Sequence, residues 1–150
     1  MTKFKVKTKI TAPLQTVFNI SCDIDVHQKS VSPTKKIAIA GVTSGLINLN
    51  ETVTWHGKHF GLYLTHKSII SKMETPSHFV DEILECRFKI FKHTHTCLRK
   101  NDITIMIDKL EYGTPFGLLG KLLDVVTLKK YLTNFIAERN HFIKQIAINY

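Results

Sequence analysis

At 150 residues the chain is long enough for one domain, residues 1-150, with a sizeable core, and its three cysteines lack CxxC spacing, which argues against a disulfide framework or zinc knuckle and fits a reduced cytosol. Lysine and arginine outnumber acids 21 to 12, a formal net charge of +9, but they are scattered in ones and twos, so a solvated basic surface is expected and no nucleic-acid partner. Residues 1-10 alternate charged and apolar side chains, unlike a signal peptide, and no apolar run approaches a membrane span, so a soluble cytoplasmic protein is expected.

Lys3, Lys5, Lys7 and Lys9 interleave with Phe4, Val6, Thr8 and Ile10, the period of two of a strand with one wet face. Pro13 suits the start of a short helix carrying Leu14, Val17 and Phe18, and Asp23 or Asp25 can cap a second through Val26 and Gln28. From Lys35 to Tyr112 turn signals recur at short intervals with no helical period, which reads as about six antiparallel strands. Pro115 to Ile148 then reads as one long helix: Leu118 to Leu128 is apolar around most of the cylinder, broken by a polar stripe of Lys121, Asp124 and Thr127. Beyond it Leu128, Leu132, Phe135, Phe142 and Ile146 form one face, with Lys129, Lys130, Glu138, Asn140 and Lys144 opposite.

This order has one economical packing, in which the sheet curls and the last helix lies across its concave side with its apolar arc inward. A bent sheet and a straight helix close imperfectly, leaving a packed core or a cavity between them.

Val17 to Ser30, Gly45 to Gly61, Phe79 to Glu82, Phe91 to His95 and Asp108 to Gly120, above all E-T-V-T-W and Y-G-T-P-F-G-L-L-G, resemble the bacterial SRPBCC ligand-binding group. That group lies within the polyketide cyclase, START and birch-pollen-allergen superfamily; some related domains are labelled cell division inhibitors. The resemblance implies an α+β helix-grip fold: a strongly curved seven-stranded antiparallel sheet, two short helices, and a long C-terminal helix across a mostly apolar cavity. The superfamily's ligands include lipids, polyketides and quinones.

Strand parity sketches the wall. With Trp55 inward, Glu51, Val53, Gly57 and His59 share its face, and Phe91, His93, His95 and Cys97 share another. On the last strand parity alone leaves two faces open; the family pattern implies Asp108 inward, with Ile105 and Ile107 outward. Asp81 and Glu82 are adjacent, so one faces in. Trp55, Phe79, Phe91, Tyr112, Leu119, Leu122 and Val126 are expected to supply contact area for a small apolar ligand, and His59, His93, His95 and Asp108 to orient its polar end. The alternatives are a cyclase- or dehydrase-type enzyme using His95 and Asp108, and an interaction module whose cavity its own side chains fill. Zinc held by His59, His93, His95 and Asp108 is weighed and set aside, because H-x-H is common on strands; no metal or cofactor is expected. Cys86 and Cys97 are expected to be buried, inert thiols. Lysines beside the apolar helix suit a transient membrane-surface contact as a secondary role, and the protein is expected to be a monomer or homodimer.

Overall fold

The computed structural model describes residues 1-150 except Cys86, Arg87, Lys89 and Phe116, so the expectation for Cys86 lies outside the described residues. Strand β1 (Thr2–Ile10) leads into α1 (Leu14–Cys22) and α2 (Ile24–Ser30), then β2 (Ile37–Gly41), β3 (Thr52–His59), β4 (Leu62–Glu74), β5 (His78–Glu85), β6 (Ile90–Lys100) and β7 (Ile103–Gly113). The terminal helix comprises α3 (Gly117–Leu123), a π-helical turn (Asp124–Leu128) and α4 (Lys129–Ile148). The strands form one curved antiparallel sheet in the order β1-β7-β6-β5-β4-β3-β2, which makes β2 to β7 an unbroken meander with β1 closing on β7. Register shifts between Ala38 and Ala40 and between Ile70 and Lys72 mark bulges, which sharpen a sheet's bend.

Local chemistry explains the joints. Asp23 ends α1 and caps α2, its carboxylate accepting from the backbone N–H groups of Asp25 and Val26 at 2.8 and 3.1 Å. Asp25, the other candidate cap, instead ties α2 to the β2–β3 connection by accepting from Ser44 Oγ and Gly45 N. At the end of β2, Gly41 has φ +75° and a Cβ there would sit 2.2 Å from the Thr52 carbonyl oxygen. Gly41→Ala is therefore expected to cost about 1–3 kcal/mol. Gly61, at φ +77° but with open space around it, should lose only about 1–2 kcal/mol as Ala. A lower melting point for Gly61→Ala than for Gly41→Ala would contradict this reading.

The interior is arranged in three levels along α4. One apolar cluster lies under α1 and α2 and includes Phe18, Trp55, Met106 and Ile143; a second joins Leu110, Tyr112, Leu132 and Ile136. Between them, at adjacent levels of β6, β7 and α4, lies a polar layer of His93, His95, Asp108, Arg139 and Asn140, all buried.

Two expectations for the terminal helix need correction. The buried face of α4 is Leu132, Ile136, Arg139, Asn140, Ile143 and Ala147, so Asn140, expected on the wet side, is in the core; Phe135 and Phe142 are half-buried flanks. The first half is turned inside out. Gly120 and Asp124 face inward, and Leu118, Leu119, Leu122, Leu123, Val125 and Val126 face solvent. Asp124 fixes this rotation: its carboxylate accepts from the hydroxyls of Tyr112 and Thr2. A buried carboxylate needs such donors, and they are on the sheet.

Candidate functional site

The polar layer is centred on Asp108, whose inward direction the structure shows. Its Oδ1 lies 2.6 Å from His93 Nε2 and 2.8 Å from His95 Nδ1, and its Oδ2 accepts from Asn140 Nδ2 at 2.6 Å. A carboxylate can only accept, so both imidazoles present N–H to it. The Arg139 guanidinium stands 3.5 Å from Oδ1 as the counter-charge. Burial would by itself raise the Asp108 carboxyl, but the neighbouring imidazoles and their hydrogen bonds hold it well below the usual carboxylate range.

His95 completes a chain of three. With its Nδ1–H given to Asp108, its Nε2 is left to accept from the Cys97 thiol at 3.5 Å. The connectivity is that of a thiol–imidazole–carboxylate triad, but the chemistry is not. Burial pushes the Cys97 thiol up to about 12, and Cys97, His95 and Asp108 are all sealed from solvent. Burial likewise lowers His95 in spite of the adjacent carboxylate, so a neutral imidazole between a protonated thiol and a carboxylate is self-consistent. As for a metal, the ligating atoms of His93, His95 and Asp108 lie within 4.8 Å of one another. They are spaced as hydrogen-bond partners, with a guanidinium beside the shared oxygen. His59 is elsewhere, its Nδ1 2.7 Å from the Tyr131 hydroxyl.

Beside this cluster is a cavity of about 50 Å³ between the sheet, α1–α2 and α4, with Trp55, Phe79, Ser68, Asp81, His93 and Arg139 among its walls. On this measure one water needs about 10–15 Å³, so the cavity as it stands has room for a few waters. Two buried atoms in its wall, Asp81 Oδ1 and Arg139 Nε, have no hydrogen-bond partner among the described residues. One accepts and the other donates. Burial raises the Asp81 carboxyl, against the opposing influence of His93, Lys36, the Ser68 hydroxyl and Arg139.

The β2–β3 side adds nitrogen groups. Lys36 Nζ lies 3.3 Å from His27 Nε2 and 4.7 Å from the centre of the Trp55 ring, and burial lowers its ammonium to about 8. Burial, then the Lys36 charge, takes the His66 imidazole down to about 3. A larger hollow of about 280 Å³, walled in part by Pro13, Arg99 and Asp102, lies by the β1–α1 connection and the β6–β7 turn. It is remote from the polar layer.

The expected site residues thus separate into four groups. Trp55, Phe79 and His93 line the cavity, whereas His95 and Asp108 stand behind its wall and position His93 and Arg139. Phe91 and Tyr112 belong to the second apolar cluster, and His59 packs with Tyr131 and Phe135. Leu119, Leu122 and Val126 point into solvent because Asp124 and Gly120 occupy the inward face. Arg139 was not foreseen; the signal for it was its place between Ile136 and Ile143, at a core position of the helical period.

No known protein-family model matches the sequence, and no curated protein matches it. Solved structures do match over nearly the whole chain. A protein from Thermus thermophilus aligns with a TM-score of 0.77 at 13% identity, over 99% of this chain and 98% of that one. A START superfamily protein from Mycobacterium smegmatis aligns at 0.72 and 10% identity, over 97% and 96%. The di-domain ARO/CYC StfQ from the steffimycin biosynthetic pathway aligns at 0.75 and 10% identity, over 97% of this chain and 50% of that one. The chain has the helix-grip fold that these structures share.

Proposed function

We propose that the chain binds a small, largely apolar molecule with one polar end in the cavity between sheet and terminal helix, as a single domain acting in the cytosol. The observation that carries this reading is the pairing of an unpartnered acceptor, Asp81 Oδ1, with an unpartnered donor, Arg139 Nε, in the wall of one cavity. Leaving such groups unsatisfied costs about 1–3 kcal/mol each, or more when charged, and a guest that both donates and accepts removes that cost. A hydroxyl or a protonated carboxyl meets the requirement; an alkyl end does not. Trp55, Phe79, Val53 and Ile70 supply the apolar wall around it. The present volume fits the polar end, so the body of a lipid-, quinone- or polyketide-sized ligand enters by displacing wall side chains.

The cyclase-like alternative, with His95 and Asp108 as acid and base, is less well supported. Both act here by holding the groups that do face the cavity.

Trp55 is buried in the cavity wall, so its fluorescence can report occupancy. Titration with a fatty acid, a hydroxylated quinone and an aromatic polyketide is expected to give a saturable change with at least one probe. Asp81→Ala, which removes the acceptor, should weaken that binding about ten- to a hundredfold, the equivalent of losing a charge-assisted hydrogen bond. No response to any probe, or unchanged affinity in Asp81→Ala, would refute the site.

A further inference from the structure

The outward turn of α3 and the π-helical turn leaves a ridge of apolar side chains exposed. Leu118, Leu119, Leu122, Leu123, Val125 and Val126 are between 55% and 85% exposed. Single exposed apolar residues are ordinary, but six within nine positions on one ridge are not. A second apolar projection lies nearby: the Phe60 ring at the β3–β4 turn is centred 4.4 Å from that of Tyr131, one turn beyond the ridge. Phe60, Leu62 and Tyr63 there are 54% to 60% exposed.

Charge distinguishes the possible covers. Lys121, Lys129 and Lys130 are exposed along the ridge, and Lys58 lies over the Tyr63 ring. The only acid from Gly117 to Lys130 is Asp124, which is turned inward and bonded to Tyr112 and Thr2, and residues 56-66 contain none. Each projection thus presents apolar side chains and lysines with no outward carboxylate of its own; the exposed acid Glu138 lies further along α4, and its charge reaches Tyr131. A second copy of a +9 chain, meeting this one across a two-fold axis, would set those lysines against their own equivalents. An anionic lipid surface takes both components, apolar tips at the acyl boundary and ammonium groups among the headgroups.

The geometry points to this end of the molecule as a docking surface for an anionic bilayer, with α3 and the π-helical turn lying in the interface and the β3–β4 turn as a second foot. The assignment is independent of whether the cavity takes a ligand.

Flotation of the full chain with vesicles tests it. Vesicles of phosphatidylcholine with phosphatidylserine are expected to carry the protein, and phosphatidylcholine alone to carry at least tenfold less. Salt at about 0.5 M, where charges are screened within a few ångströms, should release most of it. A Leu119→Ser, Leu122→Ser, Val126→Ser variant should keep its circular dichroism and melting point, because those side chains are exposed, and lose vesicle binding. A Lys121→Glu, Lys129→Glu, Lys130→Glu variant should lose the preference for the anionic lipid. The proposal is overturned by absence of binding to either vesicle, equal binding to both, or retention by the serine variant. A concentration-dependent dimer that the serine variant dissolves, with no vesicle binding, would assign the ridge to a second copy instead.

Discussion

Asp108→Ala is expected to lower the unfolding free energy by about 3–5 kcal/mol, the range for removing one partner of a buried charge pair. The substitution leaves two imidazole N–H groups, the Asn140 amide and the Arg139 guanidinium without their common acceptor. Such a loss is a large part of the roughly 5–15 kcal/mol that a domain has. Asp108→Asn keeps the volume and one acceptor oxygen but leaves the guanidinium uncompensated, so it should remain strongly destabilised. Adding Arg139→Met to Asp108→Asn should then recover about 1–2 kcal/mol, because the double variant no longer buries a lone charge. Urea unfolding of the four proteins measures this. A loss below about 1 kcal/mol in Asp108→Ala, relative to typical surface substitutions, would mean that the polar layer does not hold the interior together.

The second large effect is loss of stability in mild acid. Burial holds His27 and His95 below the ordinary imidazole value, and His66 at about 3. In the unfolded chain these rings titrate near 6.5. Below that pH the unfolded state binds more protons than the folded one, so stability falls as pH falls, until each ring's folded value is reached. Each such histidine contributes about 1.4 kcal/mol per pH unit; allowing for the partial exposure of His27 and His66, two full equivalents give about 3 kcal/mol per unit. Asp81, with its carboxyl raised, acts in the opposite direction as one group. Asp108, held low, adds a further loss only below the ordinary carboxylate range. The urea midpoint should therefore change little just above pH 7, below the range where the buried Lys36 begins to titrate at about 8, and fall steeply between about pH 6.5 and 4.5. His66→Gln should make that fall shallower by about half a proton, its discounted share of the two equivalents. A midpoint unchanged down to about pH 4.5 would show that these imidazoles are solvated in the folded protein.

The strands were legible because half-buried antiparallel strands alternate, and Trp55 with Val53, or His93 with His95 and Cys97, follow that alternation. The orientation of Asp108 was not legible from β7 itself, where Ile105 and Ile107 compete with Met106 and Leu110 for the core face. The terminal helix was misjudged for a related reason. Hydrophobicity alone places Leu119 and Leu122 inside and Asp124 outside, whereas two hydroxyls on distant strands, Thr2 and Tyr112, offer Asp124 the better site. The Asp81–Arg139 pair was hidden for the same reason. Such partners lie on other elements, 12 residues away for Tyr112 and 122 for Thr2, and a one-dimensional period carries no information about them.

The five-residue wide turn from Asp124 to Leu128 has a consequence for how such a chain can change. Residues spaced by four drift about 40° around an α-helix at every step, yet Gly120, Asp124, Leu128, Leu132 and Ile136 stay on the side facing the rest of the molecule. The wide turn takes back part of the accumulated rotation, as a single inserted residue does in helices generally. Gain or loss of one residue there would re-aim everything upstream by about 100°, exchanging the leucine ridge for the aspartate side without altering any other part of the sequence. A lineage could thus switch the neighbour addressed by the front of this helix through a single codon, leaving α4 and its buried arginine in register.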